Sequence, residues 1–292
     1  MIRPPVSVDA VMLEARASVL TKRSIKKQTK LGGIEIAIGC MDLTTLEGRD
    51  SPGKVRAICA RAISPAPGVR SAAAVCVYSS LVPTAVDCLR GSGVLVASVS
   101  TAFPSGLSPL DVKLRETREA VAAGADEIDM VIDRGAFLAG RESEVAQEIV
   151  LVKEACSGAT LKVILEVGEL GSYAAIRRAC DLALAAGADF LKTSTGKIGI
   201  SSTPAIALLM CESLRDFQRA TGRKVGLKLA GGVRTTKSAL GYLSLVKETL
   251  GDEWLQPQLF RIGAATLLDD LLMQREKELS GSYSGSAYVA MA

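Results

Sequence analysis

Short apolar runs alternate with longer amphipathic stretches along most of this chain. The runs occupy residues 34–41, 72–78, 94–99, 127–132, 161–166, 190–192, 225–229 and 259–262. Each is short enough for a strand, and most are built from Val, Ile, Leu and Ala. Residues 109–122, 142–155, 172–186, 204–220 and 236–250 instead place their apolar positions at helical spacing. Ala123-Gly124-Ala125 and Ala186-Gly187-Ala188 mark two helix-to-strand passages, where a glycine suits a helix C-terminus. Eight strands alternating with helices predict βα units and a parallel sheet, and eight is the number that closes a (β/α)8 barrel. A doubly wound sheet is the alternative, but it usually shows a GxGxxG turn after its first strand, and Asp42-Leu43-Thr44-Thr45 stands there instead. The expected architecture is α/β, a single TIM barrel over residues 1–279. Residues 1–33 are expected to add an N-terminal helix, with a partial apolar stripe of Val11, Leu13, Val19 and Leu20. Residues 280–292 read as a flexible Gly/Ser tail carrying Tyr283 and Tyr288.

Composition narrows the chemistry. The 292 residues are 48% hydrophobic but only 4% aromatic, so the core must be built from Ala, Val, Leu and Ile. There is no histidine, which excludes a Ser-His-Asp triad, a Cys-His pair and an imidazole metal site. Acid–base work then falls to Asp, Glu, Lys, Tyr or water. Seven cysteines without a CxxC pair suit buried, reduced thiols in a cytoplasmic protein. No uninterrupted apolar stretch reaches membrane-spanning length, so no membrane partner is expected. A net charge of +4 is mild. The basic cluster Lys22, Arg23, Lys26, Lys27 and Lys30 lacks interleaved aromatics, which argues against a nucleic-acid partner.

Barrel enzymes carry their chemistry at the C-terminal ends of the strands. Collected there are Asp42 and Thr44, Cys76 and Tyr78, Thr101, Asp129, Glu166, Lys192 and Lys228. Lys192 and Lys228 end adjacent strands. Mutual repulsion and partial desolvation both disfavour an ammonium, so each is expected to have a lowered pKa and to offer a free amine near neutral pH. A free amine is what Schiff-base chemistry on an aldehyde or ketone requires. Solvated strand termini are the plain alternative, and Lys-Asp or Lys-Glu pairs bracing the barrel mouth are another. Three small-residue turns follow the last three strands: Thr195-Gly196-Lys197, Ala230-Gly231-Gly232 and Gly263-Ala264-Ala265-Thr266. Glycines let backbone approach an anion and Lys197 or Arg234 adds charge, so a phosphate site is expected there.

Several motifs carry a family resemblance. Met41-Asp42-Leu43-Thr44-Thr45-Leu46, Gly124-Ala125-Asp126-Glu127-Ile128-Asp129, Asp189-Phe190-Leu191-Lys192-Thr193-Ser194-Thr195-Gly196-Lys197 and Gly226-Leu227-Lys228 with Ala230-Gly231-Gly232-Val233-Arg234 resemble the deoxyribose-phosphate aldolases, in order along nearly the whole barrel. The segment Gly251-Asp252-Glu253-Trp254-Leu255 resembles the eukaryotic forms in particular. The resemblance implies reversible cleavage of 2-deoxy-D-ribose 5-phosphate to acetaldehyde and D-glyceraldehyde 3-phosphate in deoxyribonucleoside catabolism, with no cofactor and no metal. It makes Lys192 the Schiff-base nucleophile, Lys228 the neighbour that lowers its pKa, and Asp129 the carboxylate of a water-mediated proton relay. Asp42, Thr44, Cys76 and Thr195 would meet the substrate. Gly196, Lys197, Gly231, Gly232, Gly263 and Thr266 would surround the phosphate, and Tyr283 or Tyr288 would assist proton transfer. A homodimer or higher homo-oligomer is expected. The chain departs from the family pattern at Ala265, where a serine is usual, and at Ser79-Ser80, Val167 and Leu229. Two other readings stay open: a Schiff-base lyase for another phosphorylated sugar, and a barrel kept as a binding or scaffold protein.

Overall fold

The computed structural model describes residues 7–199 and 201–281. Eight strands, β1 (Met41–Thr44), β2 (Ala74–Tyr78), β3 (Leu95–Ser100), β4 (Glu127–Val131), β5 (Thr160–Ile164), β6 (Phe190–Lys192), β7 (Gly226–Ala230) and β8 (Phe260–Ala264), pair in parallel and close in sequence order. The expected TIM barrel is thus observed. Around it run α1 (Ala10–Thr21), α2 (Lys27–Gly39), α3 (Pro52–Ile63), α4 (Val82–Leu89), α5 (Leu110–Ala122), α6 (Arg134–Leu138), α7 (Glu142–Ala155), α8 (Tyr173–Ala185), α9 (Pro204–Thr221), α10 (Thr236–Leu250) and α11 (Leu267–Ser280). Local chemistry sets several helix starts. Ser51, Ser172, Thr203 and Thr235 each cap a helix by accepting a backbone N–H, and Pro52 and Pro204 open α3 and α9 where no amide donor is needed.

Two expectations at the N-terminus need correction. Residues 34–41 were expected to form the first strand, yet most of this run lies in α2. Its buried positions Ile34, Ala37 and Ile38 fall at i, i+3 and i+4, a helical period that a short apolar run disguises. The first strand begins only at Met41, so Asp42 and Thr44 belong to β1 itself. The single N-terminal helix is in fact two. In α1 the buried residues are Leu13 and Ala17, one turn apart, while Val11 and Val19 of the expected stripe are 78% and 65% exposed. Through that narrow face α1 packs on α9 and α10. At the other end α11 runs through Ser280 and Gly281 caps it in a left-handed turn, one residue beyond the expected start of the tail. Tyr283 and Tyr288 lie outside the described residues.

Strand alternation sorts the side chains into two sets. Outward positions such as Ile128, Met130, Leu161, Val163, Leu227 and Leu229 join the large apolar core between sheet and helices. Inward positions differ by sector. On β2 and β3 they are Cys76, Ala97 and Val99, a small apolar cluster with Leu46. Elsewhere the interior holds Asp42, Glu127, Asp129, Lys162, Lys192, Lys228 and Arg261, all buried.

Gly226 shows how closely this interior is fitted. A Cβ on Gly226 would lie 2.3 Å from the Phe190 ring, and that ring in turn carries the Arg261 guanidinium 5.8 Å from its centroid. Gly226→Ala is expected to lower stability by about 1–3 kcal/mol through overpacking. Urea unfolding monitored at Trp254, which is fully buried, measures it.

Candidate active site

Register brings the charged strand residues together. Lys192 of β6 is the partner of Lys228 of β7, and Asp129 of β4 is the partner of Lys162 of β5. Asp129 lies where these meet. Its Oδ2 accepts from Lys192 Nζ and from Lys228 Nζ, each at 2.7 Å, and its Oδ1 accepts from Lys162 Nζ at 2.9 Å. Lys228 Nζ also stands 2.5 Å from Asp42 Oδ2. Lys162 also donates to Glu127 Oε2 at 2.6 Å. Lys192 has Asp129 as its carboxylate partner and no second one among the described residues.

This inequality shifts the two lysines in opposite directions. Burial is the largest influence on Lys192 and pushes its pKa below the usual lysine value; the Asp129 charge opposes this and the Lys228 charge adds to it. Burial acts on Lys228 in the same direction, but Asp129 and Asp42 together outweigh it and hold that ammonium well above the usual value. The expectation that both lysines are lowered is therefore corrected for Lys228: it stays a cation, and as a cation it depresses Lys192. Burial disfavours the charged form of Asp129 too, but Lys162, Lys192 and Lys228 keep its carboxyl well below the ordinary range. Lys228 and Arg261 do the same for Asp42 against burial.

The remaining candidates fall at graded distances from this centre. Cys76 Sγ lies 3.9 Å from Asp129 Oδ2, and burial pushes its thiol up to about 11. Thr44 lines the mouth, with its hydroxyl donating to Asp42 O at 2.9 Å. Thr101 turns away and donates to Val131 O of the neighbouring strand. Glu166, beyond the end of β5, has a left-handed backbone with φ 52°. It is turned to the next loop, where its Oε2 accepts from Thr195 Oγ1 at 2.5 Å and its Oε1 from Thr195 N at 3.2 Å. Sequence reasoning passed over Lys162, Glu127 and Arg261. The available signal was a lone charge in an otherwise apolar strand, as in Leu161-Lys162-Val163 and Phe260-Arg261-Ile262.

Above the amines opens a cavity of about 580 Å³ lined by the three expected small-residue turns, with Lys192 and Lys228 reaching it from the barrel interior. Gly196, Gly231 and Gly232 all have positive φ, between 78° and 81°, so their backbone can fold closely around the cavity. Thr266 stands at the start of α11. Lys197 reaches across the mouth to Glu47 Oε1 at 2.8 Å, an ion pair that its sequence neighbours did not suggest. Gly263 serves a second purpose, since a Cβ there would crowd Lys228 Cε at 3.1 Å.

Comparison with known proteins agrees with this geometry. Residues 36–271 match the model of the DeoC/LacD family aldolases. The chain belongs to this aldolase family. It is 43% identical over 289 residues to a Mus musculus protein named deoxyribose-phosphate aldolase, covering 94% of this chain and 91% of that one. A Bos taurus protein of the same name is 42% identical over 287 residues, covering 94% and 90%. Among solved structures, a deoxyribose phosphate aldolase from Aeropyrum pernix superposes with a TM-score of 0.67 at 26% identity, covering 87% of this chain and 95% of that one. Within the family fold, the buried amines and the open mouth above them form one continuous site.

The electrostatic arrangement has a testable sign. Lys228→Leu removes the cation that depresses Lys192 and leaves Asp42 and Asp129 without it, so the Lys192 ammonium is stabilised. Its deprotonation is expected to move up by about 1 pH unit or more, and near pH 7 the free amine becomes scarce. Borohydride trapping of the acetaldehyde adduct as a function of pH measures the shift.

Proposed function

We propose that the protein is a Schiff-base aldolase that reversibly cleaves 2-deoxy-D-ribose 5-phosphate to acetaldehyde and D-glyceraldehyde 3-phosphate, in deoxyribonucleoside catabolism. The observation that carries this reading is the unequal sharing of Asp129. Lys192 is buried, accessible from the mouth, and among the described residues the one lysine of the cluster without a second carboxylate. Its free amine attacks the C1 aldehyde of the open-chain sugar, and loss of water leaves an imine. Cleavage of the C2–C3 bond then leaves C2 with the electron pair, which the protonated imine nitrogen draws in as an enamine. The C3 hydroxyl proton departs to a base, and D-glyceraldehyde 3-phosphate leaves. Protonation at C2 and hydrolysis of the imine release acetaldehyde and restore Lys192.

Asp129 suits the role of carboxylate in a water-mediated relay, since the Lys162 and Lys228 cations keep it ionised against burial. Lys228 suits the role of a fixed cation. Thr44 lines the mouth and suits a substrate hydroxyl; Asp42, buried between Lys228 and Arg261, suits the same role only through the groups it holds. The turns after β6, β7 and β8 suit the phosphate, with Lys197 and Arg234 supplying charge and Ala265 offering no hydroxyl donor. Seven free cysteines, six of them buried, favour a reducing compartment such as the cytoplasm. The Aeropyrum pernix relative is described as tetrameric, and a homo-oligomer is proposed here as well.

Two experiments address the two halves of the site. Treatment with acetaldehyde and borohydride is expected to place the reduced adduct on the peptide containing Lys192, as read by mass spectrometry; an adduct confined to Lys228 reverses the assignment. For the phosphate end, Gly232 lines the mouth and a Cβ there meets nothing nearer than Ser202 O at 3.9 Å, so a side chain has room, at the cost of backbone strain from its positive φ. Gly232→Glu adds a carboxylate and is expected to raise KM for deoxyribose 5-phosphate about tenfold or more. KM for unphosphorylated deoxyribose is expected to change much less; equal losses place the phosphate elsewhere.

A further inference from the structure

The charges that meet at Asp129 continue below the mouth and return on themselves. Asp42 Oδ2 faces Lys228, and its other oxygen, Oδ1, accepts from Arg261 Nη1 at 2.7 Å. Arg261 also reaches Glu127, with Nη2 to Oε1 at 2.7 Å and Nη1 to Oε2 at 3.0 Å. Glu127 Oε2 accepts from Lys162, which bonds Asp129 Oδ1 in turn. Asp129 Oδ2 leads back to Lys228. Three carboxylates and three cations thus form a closed circuit across β1, β4, β5, β7 and β8. Lys192 hangs on it from β6 through Asp129. Neither Arg261 nor Glu127 lines the cavity of the mouth.

We infer that Arg261 and Glu127 are positioning residues of the reaction, which close the charge circuit so that every carboxylate of the barrel interior is matched by a cation other than Lys192. Arg261 suits this place because one planar fork can bond two carboxylates at once. It is also anchored, its Nε donating to Pro257 O and its plane lying over the Phe190 ring. It therefore holds Asp42 with one oxygen turned to Lys228. A lysine would keep the charge but not the double grip.

Asp129, Lys228 and Cys76 act on Lys192 directly, and the charges of the circuit stand behind them. Strand by strand, these groups are Asp129 and Glu127 from β4, Lys162 from β5, Lys228 from β7, Arg261 from β8, Asp42 from β1 and the Cys76 thiol from β2. Their charges balance when Lys192 is neutral and carry a surplus of +1 when it is protonated. The surplus in a buried volume adds to desolvation in favouring the free amine. A structural brace fixes geometry only, whereas a charge circuit makes the two members of one pair act with opposite sign.

The inference rests on Lys192 being the amine that enters the imine, and its test does not require turnover. Competitive labelling with acetic anhydride across pH, read on the peptide containing Lys192 by mass spectrometry, gives the titration of that amine directly. Glu127→Gln removes a negative charge with little change of shape, and is expected to move the titration down by about 1 pH unit. Arg261→Met removes a positive charge and is expected to move it up by a similar amount, and Arg261→Met with Glu127→Gln is expected to return it close to the unsubstituted protein. Shifts of the same sign in both single variants, or no shift in Glu127→Gln, overturn the inference. If Arg261→Met does not fold, Glu127→Gln with Arg261→Lys decides: a downward shift in the first and little shift in the second support it, and any other pair overturns it. Labelling shifts as expected, in a protein that forms no imine with acetaldehyde, would leave the charge circuit standing and remove the aldolase reading.

Discussion

Three ammonium groups converge on Asp129, and one carboxylate can compensate only one of them. Lys162 finds a second carboxylate in Glu127, and Lys228 finds one in Asp42. Lys192 finds none among the described residues. In a medium that penalises charge, the cation with the least compensation is the one that gives up its proton. The difference between Lys192 and the other two lysines is therefore made by the second partners of those two. Nothing peculiar to Lys192 itself is needed. The Lys192–Lys228 pair looks symmetrical in register and burial, and becomes asymmetrical only through Asp42.

This arrangement places a demand on the barrel. Barrel interiors are normally filled by branched aliphatic side chains in layers. Here seven charged residues occupy much of that volume, and the apolar filling is reduced to a small cluster of Cys76, Ala97, Val99 and Leu46 with a few single residues such as Ile164 and Phe190. Buried ion pairs are weak sources of stability even when well bonded, while removing one partner costs about 3–5 kcal/mol. The fold must therefore be held chiefly by the apolar layer between sheet and helices, leaving the interior free to serve chemistry. Small residues make that possible: Gly226 gives space to Phe190 beneath Arg261, and Gly263 gives space to the Lys228 stem. A circuit with several bonds per member also limits rotamer freedom, so the amines meet the mouth in fixed positions.

The parts legible in the sequence were those that repeat or that end a strand. The β/α alternation was visible because each strand from β2 onward is a compact apolar run bounded by turn residues. Lys192 was visible because it closes β6, while Asp129 and Lys228, at the centres of β4 and β7, were visible through the motifs at residues 124–129 and 226–228. The first strand was misplaced because β1 is four residues long and follows directly on α2, so the apolar residues of both merge into one run. Local pattern cannot divide such a run. The pKa of Lys228 was misjudged for a different reason. Adjacent lysines announce repulsion, but the carboxylate that reverses its effect comes from β1, far along the chain. Lys162, Glu127 and Arg261 sit within strands, where alternation conceals their convergence until the barrel closes. Their common signal, a charged residue inside an apolar strand, demands a partner on physical grounds without naming it.

Exposure then divides the cations by task. Lys162, Lys228 and Arg261 are buried and bonded to carboxylates that water does not reach, so no arriving anion can exchange for those partners without leaving a buried charge uncompensated. Lys197 is different. Its partner Glu47 is exposed at the rim, and a solvent-screened pair of that kind contributes little and is readily exchanged. An anion entering between the glycine turns after β6 and β7 can take the Lys197 ammonium and leave Glu47 to water. In the proposed reaction the phosphate thus meets charge that is loosely held, and the carbonyl meets the amine whose charge is least supported. Both properties follow from where each cation's counter-charge lies relative to solvent. The same barrel can therefore hold four lysines around one site and give them different chemistry.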